Sequence, residues 1–192
     1  MGQIYVPQSK KNARSENALI IYGDEASFRQ DPTLHRTWAR RNYQPKILSN
    51  GHRNSQKILG AISLYDGQFA YRHQTEYFNA ESYIDFLDNV LLKSFCKKGK
   101  RLYLIQDNAS YHKKPEVYEF FKENRKKIEV FQLPSYSPDY NPIECVWKYT
   151  RKNSTHNRYF DSPSELCTSL FDTFGDIQKH PEKVIGLLQP FF

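Results

Sequence analysis

Residues 102–133 read LYLIQDNASYHKKPEVYEFFKENRKKIEVFQL, and this stretch decides the architecture. Leu102 to Gln106 is an apolar run of strand length that ends at Asp107. Pro115 suits the first position of a helix, where a missing N–H costs nothing and a fixed φ is already helical. From it Val117, Tyr118 and Phe121 point toward the core at helical spacing. Ile128 to Leu133 is a second strand. Strand, helix and strand in that order form a crossover unit, which implies parallel strands with a helix on one face.

Upstream, Asn79 to about Cys96 places Ile84, Leu87, Leu91 and Phe95 on one helical face, supported by Tyr83, Val90 and Leu92, and Gly99 stops the helix. Before it, Lys57 to Tyr65 and Gln68 to Arg72 flank Asp66-Gly67, a strong hairpin signal because both turn positions tolerate positive φ. Ala18 to Tyr22 is a short apolar run ending at Gly23-Asp24, read as a buried strand. Downstream, Pro134 to Asn141 is a Pro/Ser loop, and Pro142 opens a helix that reaches about Lys152. Ser162-Pro163-Ser164-Glu165 carries an N-cap, a first-turn Pro and a capping-box Glu, so a last helix starts there with Leu166, Leu170 and Phe174 inward. The order is strand, hairpin pair, helix, strand, helix, strand, helix, helix. It predicts an α/β fold, a mixed central sheet with helices on both faces. Residues 1–17 are polar, carry Lys10, Lys11 and Arg14, and read as a basic lead-in or linker; residues 18–192 form one domain. No helix-turn-helix pattern precedes the first strand.

The 192 residues are 39% hydrophobic and 15% aromatic, enough for a core and too apolar for a disordered chain. No apolar run approaches the ~20 residues that span a bilayer, and the first residues lack the charged-then-apolar order of a signal peptide. The three cysteines form no CxxC pair, which argues against a disulfide framework and fits a reducing compartment. No histidine stands at zinc-site spacing from a cysteine. The net charge of +7 favours a polyanionic partner. From Arg29 to Lys57 there are seven basic residues and one acid, Asp31, hence +6. Trp38 and Tyr43 lie among them. Basic residues interleaved with aromatics suit a surface that tracks a nucleic-acid backbone, and a solvated polar loop suits the same segment.

Two apolar strands end in an aspartate: Ile20-Ile21-Tyr22-Gly23-Asp24 and Leu104-Ile105-Gln106-Asp107. In open α/β sheets chemistry collects beyond the strand ends. Side by side, these strands bring Asp24 and Asp107 together across 83 positions (107 − 24). A third carboxylate from a nearby helix completes an oxygen-rich site suited to Mg²⁺ or Mn²⁺. Each acid also has an ordinary reading. Aspartate at a strand end caps local backbone groups. In Asn141-Pro142-Ile143-Glu144, an N-cap, a first-position Pro and a capping-box Glu explain the glutamate without any metal. Spacing and composition leave that choice open.

The surrounding residues resemble a known family. Leu133-Pro134-Ser135-Tyr136-Ser137-Pro138-Asp139-Tyr140-Asn141-Pro142-Ile143-Glu144, followed by Val146-Trp147, looks like the LPxYSPxLNPIExxW motif of DDE transposases of the mariner superfamily, in their bacterial insertion-sequence branch. Gln106 to His112 is similar to the DNAxxH motif of that family, and Tyr22 to Phe28 to its DEAxF motif. Thr155 to Phe160 also looks like a downstream family element. The resemblance runs from about Ala18 to Leu170, with 36 residues between Asp107 and Glu144 (144 − 107 − 1). Tyr140 stands where leucine is usual.

The resemblance implies a ribonuclease H-like fold, with Asp24, Asp107 and Glu144 as catalytic metal ligands. Successive strand side chains face opposite ways, so only one of Asp24 and Glu25 can meet Asp107, and the motif assigns Asp24. It implies two Mg²⁺ or Mn²⁺ ions, cleavage at transposon ends and strand transfer to target DNA. It also implies a homodimer, and a cytoplasmic, nucleoid-associated bacterial protein. DNA contacts are expected from Arg36, Trp38, Arg40, Arg41, Arg53, Lys148, Arg151 and Lys152. Asn108 reads as a capping residue and His112 as a surface residue, with positioning of substrate or water as the alternative for both, and Trp147 reads as core. Family members carry a helix-turn-helix region, expected here on a separate or fused polypeptide. Two rivals are a non-catalytic DNA- or partner-binding module that inhibits transposition, and a plain nuclease of the same fold.

Overall fold

The strand carrying Asp24, β1 (Leu19–Arg29), lies at the middle of a five-stranded sheet ordered β3-β2-β1-β4-β5. The computed structural model describes residues 6–49, 51, 53–96, 99–134 and 138–192, with the side chains of 6–9 and 138 outside that description. Ser135, Tyr136 and Ser137 of the longest motif therefore lie outside the described residues. β2 (Ser55–Ser63) and β3 (Phe69–Gln74) form the antiparallel hairpin, while β4 (Leu102–Gln106) and β5 (Ile128–Gln132) join in parallel. The sheet is mixed, as the element order implied.

β1 is longer than its apolar run suggested. It pairs antiparallel with β2 from Ile21↔Ser63 to Arg29↔Ser55, but in parallel with β4 only from Leu19↔Leu102 to Tyr22↔Ile105. Asp24 thus sits inside a strand, level with the point where its parallel neighbour has stopped. The polar second half of β1 is held by backbone pairing to β2, which an apolar-run reading does not detect.

The hairpin turn also differs. Ser63 N–H donates to Gln68 O at 2.9 Å, and Asp66 Oδ1 accepts from Gln68 N–H at 3.1 Å. Only Gly67 takes a positive φ, +66°, because the longer loop needs one left-handed residue rather than two.

Helices cover both faces. On one lie α1 (Val6–Glu16), α5 (Ile143–Thr150), α6 (Pro163–Lys179) and α7 (Glu182–Leu188); on the other lie α2 (Ala80–Asp85), α3 (Lys93–Phe95) and α4 (Pro115–Glu123). π-Helical turns join α2 to α3 (Phe86–Leu92) and extend α5 (Arg151–Thr155). The buried residues Tyr83, Leu87, Leu91 and Phe95 recur every four positions, the spacing of such wide turns, and Ile84 drifts to the edge of the face. Asn79 caps α2 through a reciprocal pair with Ser82 (2.8 and 3.2 Å). Ser162 caps α6 by accepting from Glu165 N–H, and Leu166, Leu170 and Phe174 are fully buried.

Three expectations change. The supposed lead-in is helical: α1 inserts Ala13 into the core, and Lys10 Nζ donates to Phe191 O. α7, short and placed after Pro181, was not foreseen, yet Val184 and Leu188 are fully buried. In α4 only Val117 and Phe121 are buried; Tyr118 keeps its amphipathic ring in solvent.

Candidate active site

Alternation along β1 settles what each acid faces. Ile20, Tyr22, Ala26 and Phe28 enter the core beneath α5 and α6, and Asp24 shares their parity; Glu25 shares that of Ile21 on the opposite face. Asp24 Oδ2 accepts a hydrogen bond from Trp147 Nε1–H at 3.1 Å. Burial pushes its carboxyl up to about 7, helped by the negative charges of Glu25 and Glu144, while the Glu25 N–H and the indole oppose the rise. Glu144 is partly buried in the first turn of α5, three residues before Trp147.

The capping box expected at Asn141 does not form. The Glu144 N–H that it would engage donates instead to the backbone O of Asn141 at 3.1 Å, and the buried Asn141 Oδ1 has no hydrogen-bond partner among the described residues. Helix capping therefore does not account for Glu144. Its negative charge reaches Asp24 and Cys145.

Asp107 follows β4 directly and is half-exposed. Its Oδ1 accepts from Ala109 N–H at 3.0 Å, a turn that fixes the chain leaving the strand. Asn108 caps no helix; its Nδ2 donates to Leu133 O at 2.9 Å and braces the loop after β4 against the end of β5. Asp24 and Asp107 each lie two positions past the last parallel pair, Tyr22↔Ile105.

His112, read from sequence as a surface residue, is 4% exposed. A 3₁₀ turn over Ser110–Lys113 folds it under the sheet against Tyr83, with ring centroids 4.3 Å apart. Its Nδ1 lies 3.2 Å from Asp107 O and 3.5 Å from Asp107 Oδ1, and its Nε2 lies 3.2 Å from Glu25 Oε1. Among the described residues, one group of three has ligand atoms within metal-binding distance of one another: Glu25, Asp107 and His112, all within 4.8 Å. So Asp24 feels the charges of Glu25 and Glu144, whereas the groups within ligand distance of Asp107 are His112 and Glu25. The sequence reading weighs Glu25 and sets it aside for Asp24, and places His112 at the surface, whereas the fold brings both to Asp107.

The expected DNA contacts fall into two sets. Arg36, Trp38, Arg40, Arg41 and Arg53 lie on the irregular excursion between β1 and β2, all exposed, with Trp38 wholly so. Lys148 and Lys152 are exposed along α5 and its extension; Arg151 lies over the Phe28 ring at 5.3 Å.

A family profile described as DDE superfamily endonuclease matches residues 19–167. The chain belongs to the DDE endonuclease superfamily. It is 27% identical over 168 residues to the insertion element IS630 uncharacterized 39 kDa protein of Shigella sonnei, covering 88% of this chain and 48% of that one. It is 26% identical over 173 residues to the Tcb2 transposase of Caenorhabditis briggsae, covering 82% and 62%. The Mos1 mariner paired-end complex with manganese superposes with a TM-score of 0.64 at 18% identity, covering 96% of this chain and 58% of the other. The Mos1 catalytic domain with raltegravir and manganese gives 0.61 at 17%, covering 96% and 85%. The fold is therefore that of the Mos1 catalytic domain, ribonuclease H-like, and this DDE chain spans roughly half to two thirds of the length of its curated relatives. No described helix is long and apolar enough to cross a membrane.

The donor chemistry of the three acids suits the divalent ion that a DDE endonuclease implies, although among the described residues it is Glu25, Asp107 and His112 that come within ligand distance of one another. Burial first, and then the negative charges of Glu25 and Glu144, raise the Asp24 carboxyl to about 7, and a bound cation would favour its ionised form. Asp24, Asp107 and Glu144 offer only carboxylate oxygen, the donor that Mg²⁺ and Mn²⁺ prefer.

Proposed function

We propose that this chain is the catalytic part of a transposase that cuts DNA at transposon ends and joins the freed end to target DNA. Asp24, Asp107 and Glu144 would hold two Mg²⁺ or Mn²⁺ ions. The observation that carries the reading is the junction of β1, β4 and α5. There Asp24, partly buried and bonded to Trp147, feels the charge of Glu144, and Asp107 leaves β4 at the same level of the sheet. Ions held there would supply Lewis acidity toward a phosphate oxygen and toward the attacking water or hydroxyl.

The protein groups divide the remaining work. Trp147 and the Glu25 N–H orient Asp24, the Ala109 turn and His112 fix Asp107, and Glu144 approaches from the helix. Arg36, Arg40, Arg41 and Arg53 lie along the excursion to grip phosphates, with Trp38 presenting a ring on which a base can stack. Lys148, Arg151 and Lys152 would add phosphate contacts from α5 and its π-helical extension. DNA as substrate puts the protein with the bacterial nucleoid, in the cytoplasm. Pairing two transposon ends calls for a homodimer, and a helix-turn-helix polypeptide, fused or separate, would select the end sequence.

The test is nicking and strand transfer on a duplex carrying the element's ends in Mn²⁺. Wild type is expected to give both products, and Asp107→Asn neither, while still binding DNA. Hydrolysis without strand transfer would indicate a plain nuclease. DNA or partner binding without metal-dependent cleavage would indicate an inhibitory module.

A further inference from the structure

Trp147 is core by every packing measure. It is 1% exposed, and its ring meets Phe28, Phe69 and Phe174 edge-on at 6.0, 5.9 and 6.4 Å. Its single polar atom, however, is spent on Asp24. Across the β1–β2 ladder, the residue paired with Asp24 is Gly60. A Cβ on Gly60 would stand 2.4 Å from Trp147 Cη2 and 2.8 Å from Cζ2, well inside contact distance. The indole lies where a side chain on β2 would otherwise be, and that position lets its N–H reach the carboxylate.

We infer that Trp147 is a positioning residue for the metal site, with Gly60 as the gap that admits it; the inference rests on the reading of Asp24 as a metal ligand. The indole N–H is a neutral donor. It fixes the orientation of the Asp24 carboxylate without cancelling the negative charge that attracts a cation, as lysine or arginine would. The indole holds Oδ2 on the protein side. Trp147 also lies three residues after Glu144, on the same side of α5. The bond to β1 therefore sets the rotation of the helix that carries the third acid. Groups that orient a metal ligand typically contribute about 10–100-fold in metal affinity.

The test separates orientation from packing, using Mn²⁺ affinity by calorimetry on the DNA-free protein alongside thermal midpoints. Trp147→Phe keeps a buried ring but removes the donor, and is expected to weaken Mn²⁺ binding by about 10–100-fold. Gly60→Ala displaces an intact indole and is expected to weaken Mn²⁺ binding as well as lower the midpoint. It decides the matter if Trp147→Phe does not fold. In the double variant the alanine methyl enters the space vacated by Cη2 and Cζ2. The midpoint should then rise above that of Gly60→Ala, while Mn²⁺ affinity stays weak. Wild-type affinity in either single variant, or affinity that recovers together with the midpoint in the double, overturns the inference. Asp24→Asn is the control for the site itself. If it binds Mn²⁺ as tightly as wild type, the metal-site reading fails; if it binds weakly while Trp147→Phe does not, only the positioning role fails.

Discussion

The acid-bearing centre and the excursion between β1 and β2 use the same residue classes in opposite ways. At the centre, Phe28, Phe69, Trp147 and Phe174 pack edge to face under the sheet and hold Asp24 from below. In the excursion, Leu34, Trp38, Tyr43 and Leu48 are 64–101% exposed. Its two stems are tied at the base: Gln30 N–H donates to Asn54 O at 2.9 Å, Asn54 Nδ2 donates to Gln30 Oε1 at 3.0 Å, and Gln30 Nε2 donates to Phe160 O at 3.1 Å. At the centre, fold and chemistry share residues. In the excursion they are separable, because what lies beyond the tied base contributes little to the core.

The sharpest break of that contrast is a pair of aromatic truncations. Phe174→Ala should cost about 3–5 kcal/mol, since a fully buried ring leaves a cavity among four others. Trp38→Ala should cost under about 0.5 kcal/mol although the side chain removed is larger. Denaturant unfolding measures both, and a Trp38 cost near that of Phe174 would mean that the excursion is packed.

The next effect belongs to the centre alone and concerns Asp24 in the metal-free chain. Its folded-state pKa is raised from 3.8 to about 7, first by burial and then by Glu25 and Glu144. A raised value means that the folded state favours the protonated acid. The associated stability is fully present below pH ~4 and is lost as pH rises through about 7. Asp24→Asn should remove that dependence and leave the metal-free protein more stable than wild type at pH 8, by about 2–4 kcal/mol. Urea midpoints from pH 5 to 8 test it. A parallel pH profile in the two proteins would show that Asp24 is not the frustrated group.

The same contrast explains what could be read beforehand. The sheet, its parallel half, the hairpin and the helices over both faces were legible because apolar period, Pro and Gly mark them directly. α1 and α7 were not, since one is polar along most of its length and the other too short for a periodic signal; tertiary packing, through Ala13 in α1 and Val184 with Leu188 in α7, holds each in place. The acids were legible as a motif, but their immediate partners were not. His112 looked like a surface residue because burial of one histidine beneath Tyr83 depends on a short 3₁₀ turn that has no periodicity. The capping box at Glu144 had the right letters, and the turn gave its N–H to a backbone carbonyl instead. The excursion was legible only as composition, which states charge and not which residues are anchored.

In the excursion itself, replacing Arg36, Arg40 and Arg41 together with alanine should weaken DNA binding roughly tenfold or more and lower the salt slope by about 0.9 for each phosphate no longer neutralised. Mn²⁺ affinity and unfolding midpoint should stay at wild-type values. Fluorescence anisotropy on a labelled duplex at several salt concentrations measures the slope. An unchanged slope would remove the excursion from the DNA surface, while a shifted Mn²⁺ affinity would show that the two regions are coupled after all.

The smallest effect probes the tether between the two regions. Asn157 takes a left-handed φ of +57°, its Oδ1 accepts from His35 N–H at 2.8 Å, and its Nδ2 donates to His35 O at 2.8 Å. Beside it the His35 and His156 rings stack with centroids 4.4 Å apart. Asn157→Gly keeps the backbone conformation and deletes only the side-chain bonds, whereas alanine would add a steric cost of about 1–2 kcal/mol at that φ. Because both bonds are solvent-exposed, the glycine variant should lose no more than about 1 kcal/mol of stability. Its DNA affinity should nevertheless fall severalfold, since an excursion less tightly anchored at His35 must be ordered further on binding. If affinity holds, the excursion is already mobile at its base and the tether is only a local turn. If affinity falls while Mn²⁺ binding does not move, the excursion acts as a separate grip whose aim is set by one asparagine.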